Sequence, residues 1–81
     1  MPKEIGVVTH YYNHIQVAVV KLKAALTKGD KIKIKGSTTD FEQSVASMQI
    51  EHKSVEKVAK GAEIGLKVNN EVREHDIVYK L

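Results

Sequence analysis

Between Lys31 and Lys35 the chain alternates strictly between lysine and isoleucine. That two-residue period belongs to a strand with one buried face and one wet face. Similar apolar runs recur on both sides of it. Ile5-Gly6-Val7-Val8 opens a strand, and Tyr11-Tyr12-Asn13-His14 interrupts it as a hairpin turn. Ile15 to Leu22 follows, with apolar points at Val17, Val19, Val20 and Leu22. Leu26 to Asp30 reads as a loop closed by a tight turn, with Gly29 suited to positive φ. Gly36 to Asp40 is the next turn.

Phe41 to Glu51 is the longest strand candidate. Its polarity is mixed on both parities, so the pattern predicts a bulge or bend inside it. Ser54 to Ala59 carries one turn of helical signal, with Ser54 as cap and Gly61 as terminator. Glu63 to Val68 is a strand with Gly65 inside, Asn69-Asn70 a turn, and Ile77 to Leu81 the closing strand. About six short strands with frequent turn signals predict an all-β fold: a small, closed, six-stranded antiparallel barrel forming a single domain, 1–81. Gly6 and Gly65 suit its curvature. The inward set is predicted to be Val7, Val19, Ile32, Ile34, Val45, Met48, Ile64, Leu66 and Val78.

Composition agrees with strands. Hydrophobic residues make up 42% of the chain and aromatics only 5%, so the core rests on valine, isoleucine and leucine. There is no cysteine, which removes disulfides, thiolate zinc sites and a cysteine nucleophile, and fits a reducing compartment. No apolar window is long enough to span a bilayer, and no apolar signal core follows Met1-Pro2-Lys3-Glu4. The expectation is a cytoplasmic protein with no membrane partner.

Charge is modest overall, at +3, but unevenly spread. Residues 21–35 hold six lysines against Asp30 alone, a balance of +5, and the remainder is −2. Alternation places Lys31, Lys33 and Lys35 on one face, and Lys21 and Lys23 flank Leu22 in the same way. If the two strands pair, all five ammonium groups share one surface that can meet phosphates. The competing reading is a solvated face that blocks edge-to-edge aggregation.

A longer ordered pattern runs through the chain. It comprises Leu26-x-x-Gly29-Asp30-x-Ile32-x-Ile34-x-Gly36, then Val45-x-Ser47-Met48-x-Ile50, then Val58-Ala59-x-Gly61-x-x-Ile64-Gly65-Leu66, and Asp76-Ile77-Val78. This set resembles the second, barrel-shaped domain of the translation GTPases, elongation factor Tu and the initiation factors. It also looks like barrels fused to other proteins, including some collagenase-like peptidases. The translation-factor resemblance implies a stand-alone elongation-factor-like protein without its GTPase: no Gly-x-x-x-x-Gly-Lys-Ser/Thr occurs, so no GTP hydrolysis is expected. A departure is Glu74-His75-Asp76, where the family usually has glycine before the aspartate. The resemblance nominates Gln49, Glu51, His52, Lys53 and Glu63 as a surface for a nucleotide or acyl end.

The remaining chemistry is sparse. His10 and His14 have a metal-like spacing but straddle a turn, and nothing in the sequence brings His52 and His75 to them. Tyr11 and Tyr12 at a hairpin tip could stack on bases, or one could pack and the other face water. No nucleophile elbow or paired-carboxylate motif appears. The expectation is therefore a non-enzymatic module without cofactor or metal. Its partner is transfer RNA or ribosomal RNA, met through Lys21, Lys23, Lys31, Lys33 and Lys35. The alternative is an adaptor that docks on a larger enzyme.

Overall fold

A computed structural model describes residues 3–81. Met1 and Pro2, the start of the expected 1–81 domain, lie outside the described residues. The strands are β1 (Lys3–Tyr12), β2 (Val17–Leu22), β3 (Leu26–Thr27), β4 (Lys31–Lys35), β5 (Asp40–Ser44), β6 (Met48–Ile50), β7 (Lys53–Val55), β8 (Lys57–Val58), β9 (Glu63–Lys67) and β10 (Ile77–Lys80). Eight form one antiparallel sheet in the order β5-β4-β10-β1-β2-β9-β6-β7, and β3 pairs with β8 in a separate ribbon.

The all-β class is as the patterning predicts. The closed six-stranded barrel is not what forms. The sheet curls into a half-barrel whose end strands, β5 and β7, share no ladder. Two of the predicted elements divide. The 41–51 strand breaks after Ser44 and resumes at Met48, which is the predicted bend. The predicted helical turn at 54–59 is two short strands instead, because β7 pairs with β6 and β8 with β3. Tertiary pairing outweighs one turn of local helical signal, which cannot nucleate by itself.

Side-chain and loop contacts hold the gap between the curled ends. Gln43, buried on β5, donates from Nε2 to the Lys67 carbonyl at 2.9 Å, and its Oε1 accepts the Asn69 N–H at 2.8 Å. These bonds satisfy backbone groups that a fully closed ladder would otherwise pair.

The core is aliphatic, as composition predicts. Ile32, Ile34, Val45, Met48, Ile64, Leu66 and Val78 are buried where expected, together with Ile5, Val8, Ala18, Val20 and Leu22. Val7 and Val19 are corrections: both are only half-buried. The cause at Val7 is a register shift between Glu4 and Gly6, so that Ile5 and Val8, rather than Ile5 and Val7, turn inward. Such a bulge reverses the parity of everything beyond it. Gly6 at that bulge tolerates no side chain: a Cβ there would lie 2.8 Å from the Lys21 carbonyl oxygen. At β2 the buried positions are Ala18, Val20 and Leu22, which puts Val19 on the outer face with Lys21.

Gly36 is required for a different reason. A Cβ there would overlap the carboxylate of Asp76, which is buried and accepts the Arg73 N–H at 2.8 Å. The residue before Asp76, His75, takes φ 74°, the left-handed region that a glycine would enter without cost. Gly29, at φ 95°, sits in the positive-φ turn that the sequence predicts.

Candidate functional site

The five candidate lysines do not share one strand pair. β10 and β1 lie between β4 and β2, so two strands stand between Lys31, Lys33 and Lys35 on one side and Lys21, with Lys23 just past β2, on the other. Across that gap the register runs Lys35–Ile77–Val7–Lys21, placing two half-buried apolar side chains between the two lysine groups. Acidic residues distant in sequence also stand beside three of the five. Lys33 lies 3.6 Å from Asp40 and Lys31 lies 3.9 Å from Glu42, both across the β4–β5 ladder, and Lys23 is paired with Glu4. The +5 segment is therefore offset by neighbours that the linear charge count does not see. Each exposed pair adds under about 1 kcal/mol to stability, but together they reduce the cationic field.

The other nominated set is brought together more fully. Gln49, Glu51, His52 and Glu63 line one groove of about 250 Å³ on the outer face of β2, β9 and β6. Lys53 is not in its lining. The register explains the placement: Val19 faces Gly65, and Gly65 faces Gln49, along one outward row. Gly65 supplies the low floor, since a Cβ there would come within 3.2 Å of the Val17 side chain. Glu63 stands two ladder positions along on the same face, opposite Lys21, at one end.

The rims are two hairpin tips. One is the β1–β2 turn, which contributes Tyr12 and Ile15, exposed to 50% and 58%. Tyr11 packs partly against the core while Tyr12 faces water, the divided arrangement and not a two-ring platform. His10 lies edge-on to Tyr12, with ring centroids 4.4 Å apart, and is 3.6 Å from Glu74. The other rim is the β6–β7 tip, where Ile50 pairs with Lys53 and only Glu51 and His52 intervene. Both have positive φ, 51° and 66°, the signature of a two-residue type I′ hairpin. Asparagine and glycine normally fill such turns; glutamate and histidine there carry strain on the order of 1–3 kcal/mol each. Gln16, between the two groove residues Ile15 and Val17, has φ 54°.

Chemically the groove is an apolar trough edged by carboxylates. No lysine or arginine is in its lining, while at its edges the Lys67 ammonium donates to the Ile15 carbonyl at 2.9 Å and Lys21 stands opposite Glu63 in the β2–β9 ladder. Among the described residues, no cluster of three or more histidine, cysteine or acidic side chains could hold a metal ion. His10, His14, His52 and His75 form no such group. No helix among the described residues is long and apolar enough to cross a membrane. The sequence reading missed Tyr12, Ile15, Val17, Val19 and Gly65 as parts of this site. The available signals were an apolar Ile15 among turn residues and a glycine inside a strand, which marks close approach as well as curvature.

Comparison with known proteins identifies what the chain is similar to. No family model matches it. It is 48% identical over 79 residues to an uncharacterized protease of Methanocaldococcus jannaschii; the match covers 96% of this chain and 19% of that protein. The chain thus spans about a fifth of the length of the curated relative it matches. In fold it is similar to the crystallised C-terminal domain of a candidate U32 peptidase of Geobacillus thermoleovorans. The TM-score is 0.90, with 17% identity, covering 98% of this chain and 92% of that domain. The selenomethionine variant of the same domain superposes with a TM-score of 0.88, at 16% identity, covering 94% of this chain and 96% of that chain.

These findings correct the translation-factor resemblance. The sequence match falls on a protein named a protease, and the fold match on the C-terminal domain of a candidate U32 peptidase. The reading as an RNA-binding translation module falls with it. The expectation of a non-enzymatic module is corrected too: the relative is named a protease, 19% of which the match covers.

Proposed function

We propose that this chain acts as an accessory domain of a U32-type protease, docking on the larger catalytic part of such an enzyme. The observation that carries the reading is the 48% identity to a stretch amounting to 19% of a protein named a protease. The fold likeness to a domain at the C-terminus of a candidate U32 peptidase supports it. So does the site: an apolar groove with a polar rim is the form of surface that packs against another protein.

The test uses the M. jannaschii relative with its matching stretch deleted. The 81-residue chain, added in trans, is expected to co-elute with that truncated protein in size-exclusion chromatography. It is also expected to change the truncated protein's peptide hydrolysis. Absence of co-elution, together with identical hydrolysis by the full and truncated proteins, would overturn the proposal.

A further inference from the structure

We infer that the groove between the β1–β2 and β6–β7 hairpins is the docking face, and that its occupant is a segment of the protease body carrying a lysine or arginine beside an apolar side chain. This rests on the accessory-domain reading and adds to it the surface and the chemistry of the contact.

Three observations on one patch lead there. First, among the described residues the exposed large hydrophobics are Tyr12, Ile15 and Leu81, and two of these three line this groove. Apolar side chains gathered at one depression, with polar groups around them, mark a surface that another chain covers. Second, the charged side chains of the lining are of one sign. Glu51 and Glu63 line the groove and neither carboxylate is in an ion pair among the described residues; Lys21, opposite Glu63 in the β2–β9 ladder, and Lys67, whose Nζ donates to the Ile15 carbonyl at 2.9 Å, stand outside the lining. A basic side chain entering the trough would find two unpartnered carboxylates, and complementary charge of this kind sets register as well as attraction. Third, the rims carry backbone strain: three of the four non-glycine residues with positive φ, Gln16, Glu51 and His52, are at the two hairpin tips. Strain held at a surface tip persists where the tip's shape is used.

The occupant's source follows from length. A stretch like this chain makes up 19% of the relative, so the other four-fifths of that protein is polypeptide against which the domain can rest. Docked domains within one protein characteristically meet through interfaces with this mixed polar and apolar character.

The experiment measures association of the 81-residue chain with the truncated M. jannaschii protein by isothermal titration calorimetry. Wild type is compared with the double variant Glu51→Lys/Glu63→Lys, with Ile15→Ser, and with the conservative Glu63→Asp. All positions are on the outer face, and circular dichroism melts check that each variant remains folded. The expected result is at least tenfold weaker association for the double variant and for Ile15→Ser, with Glu63→Asp close to wild type. A second arm uses a peptide of alternating leucine and arginine, and its leucine–glutamate counterpart, followed by amide NMR. The basic peptide is expected to shift Val19, Gln49 and Gly65, with the shifts reduced by salt; the acidic peptide is not.

Folded variants that bind the truncated protein as tightly as wild type would overturn the inference while leaving the accessory reading in place. If they do so while the basic peptide still occupies the groove, the groove serves a separate peptide and not the enzyme body. Self-association of the wild type that the same substitutions abolish would make the occupant a second copy, again overturning it. Failure of wild type itself to bind the truncated protein would overturn this inference, and together with identical hydrolysis by the full and truncated proteins it would defeat the accessory reading as well.

Discussion

Val19 and Val20 are adjacent, chemically identical and set on opposite faces of β2. Val20 is fully buried in the cluster with Ile64 and Leu66, whereas Val19 faces outward over Gly65. Truncation should separate them. Val20→Ala removes buried methyl groups and leaves a void, and it is expected to cost about 1–3 kcal/mol. Val19→Ala should cost well under half as much. Chemical denaturation of the two variants checks this, and a larger loss for Val19→Ala than for Val20→Ala would mean that the register of β2 is shifted by one. The same logic places Ile34→Ala among the most damaging single changes, at about 2–5 kcal/mol, since that side chain is completely buried on the inner face of β4.

At the scale of elements, two local devices shape the sheet. Gln43 carries hydrogen bonds from β5 to the end of β9 and to the residues beyond it. Gln43→Ala should leave the Lys67 carbonyl and the Asn69 N–H without their partner, at a cost of about 1–3 kcal/mol. Hydrogen exchange should then show faster opening at residues 67–69, with β1 and β2 little changed. The β6–β7 hairpin works the other way. His52 has a φ of 66° in a two-residue turn that glycine fits without steric cost. His52→Gly is expected to stabilise the domain by up to about 1 kcal/mol, or roughly 4–8 °C in Tm for a domain this small. If the hairpin tip is part of the docking face, that gain should come with weaker association.

For the molecule as a whole, the decisive feature is that the last strand is internal. β10 lies between β4 and β1, so the chain's end joins its two halves. Removing residues 77–81 takes away Val78 from the core and leaves β1 and β4 with unpaired edges. The expected outcome is loss of the cooperative melt followed by circular dichroism, not the small change that trimming a frayed terminus produces. The surface charge is also a property of the whole molecule. Strand order, not segment composition, puts Asp40, Glu42 and Glu4 beside the lysines.

The sequence by itself determined the class of fold, the positions of most strands and an aliphatic core, because period-two alternation and β-branched content are local properties. β4 was legible residue by residue, as were the turn at Gly29 and the bend within 41–51. Of the five surface residues that the resemblance nominated, Gln49, Glu51, His52 and Glu63 line one groove and Lys53 does not. Tertiary structure alone decided the rest. A bulge near Gly6 set which valine of β1 points inward, and strand order set which lysines have neighbours. Pairing with β6 and β3 turned a helical signal into strands, and register brought Val19, Gly65 and Gln49 into one row beside Tyr12 and Ile15. Each depends on residues far apart in the chain meeting in one place, and a one-residue shift in pairing reverses the face of every side chain that follows.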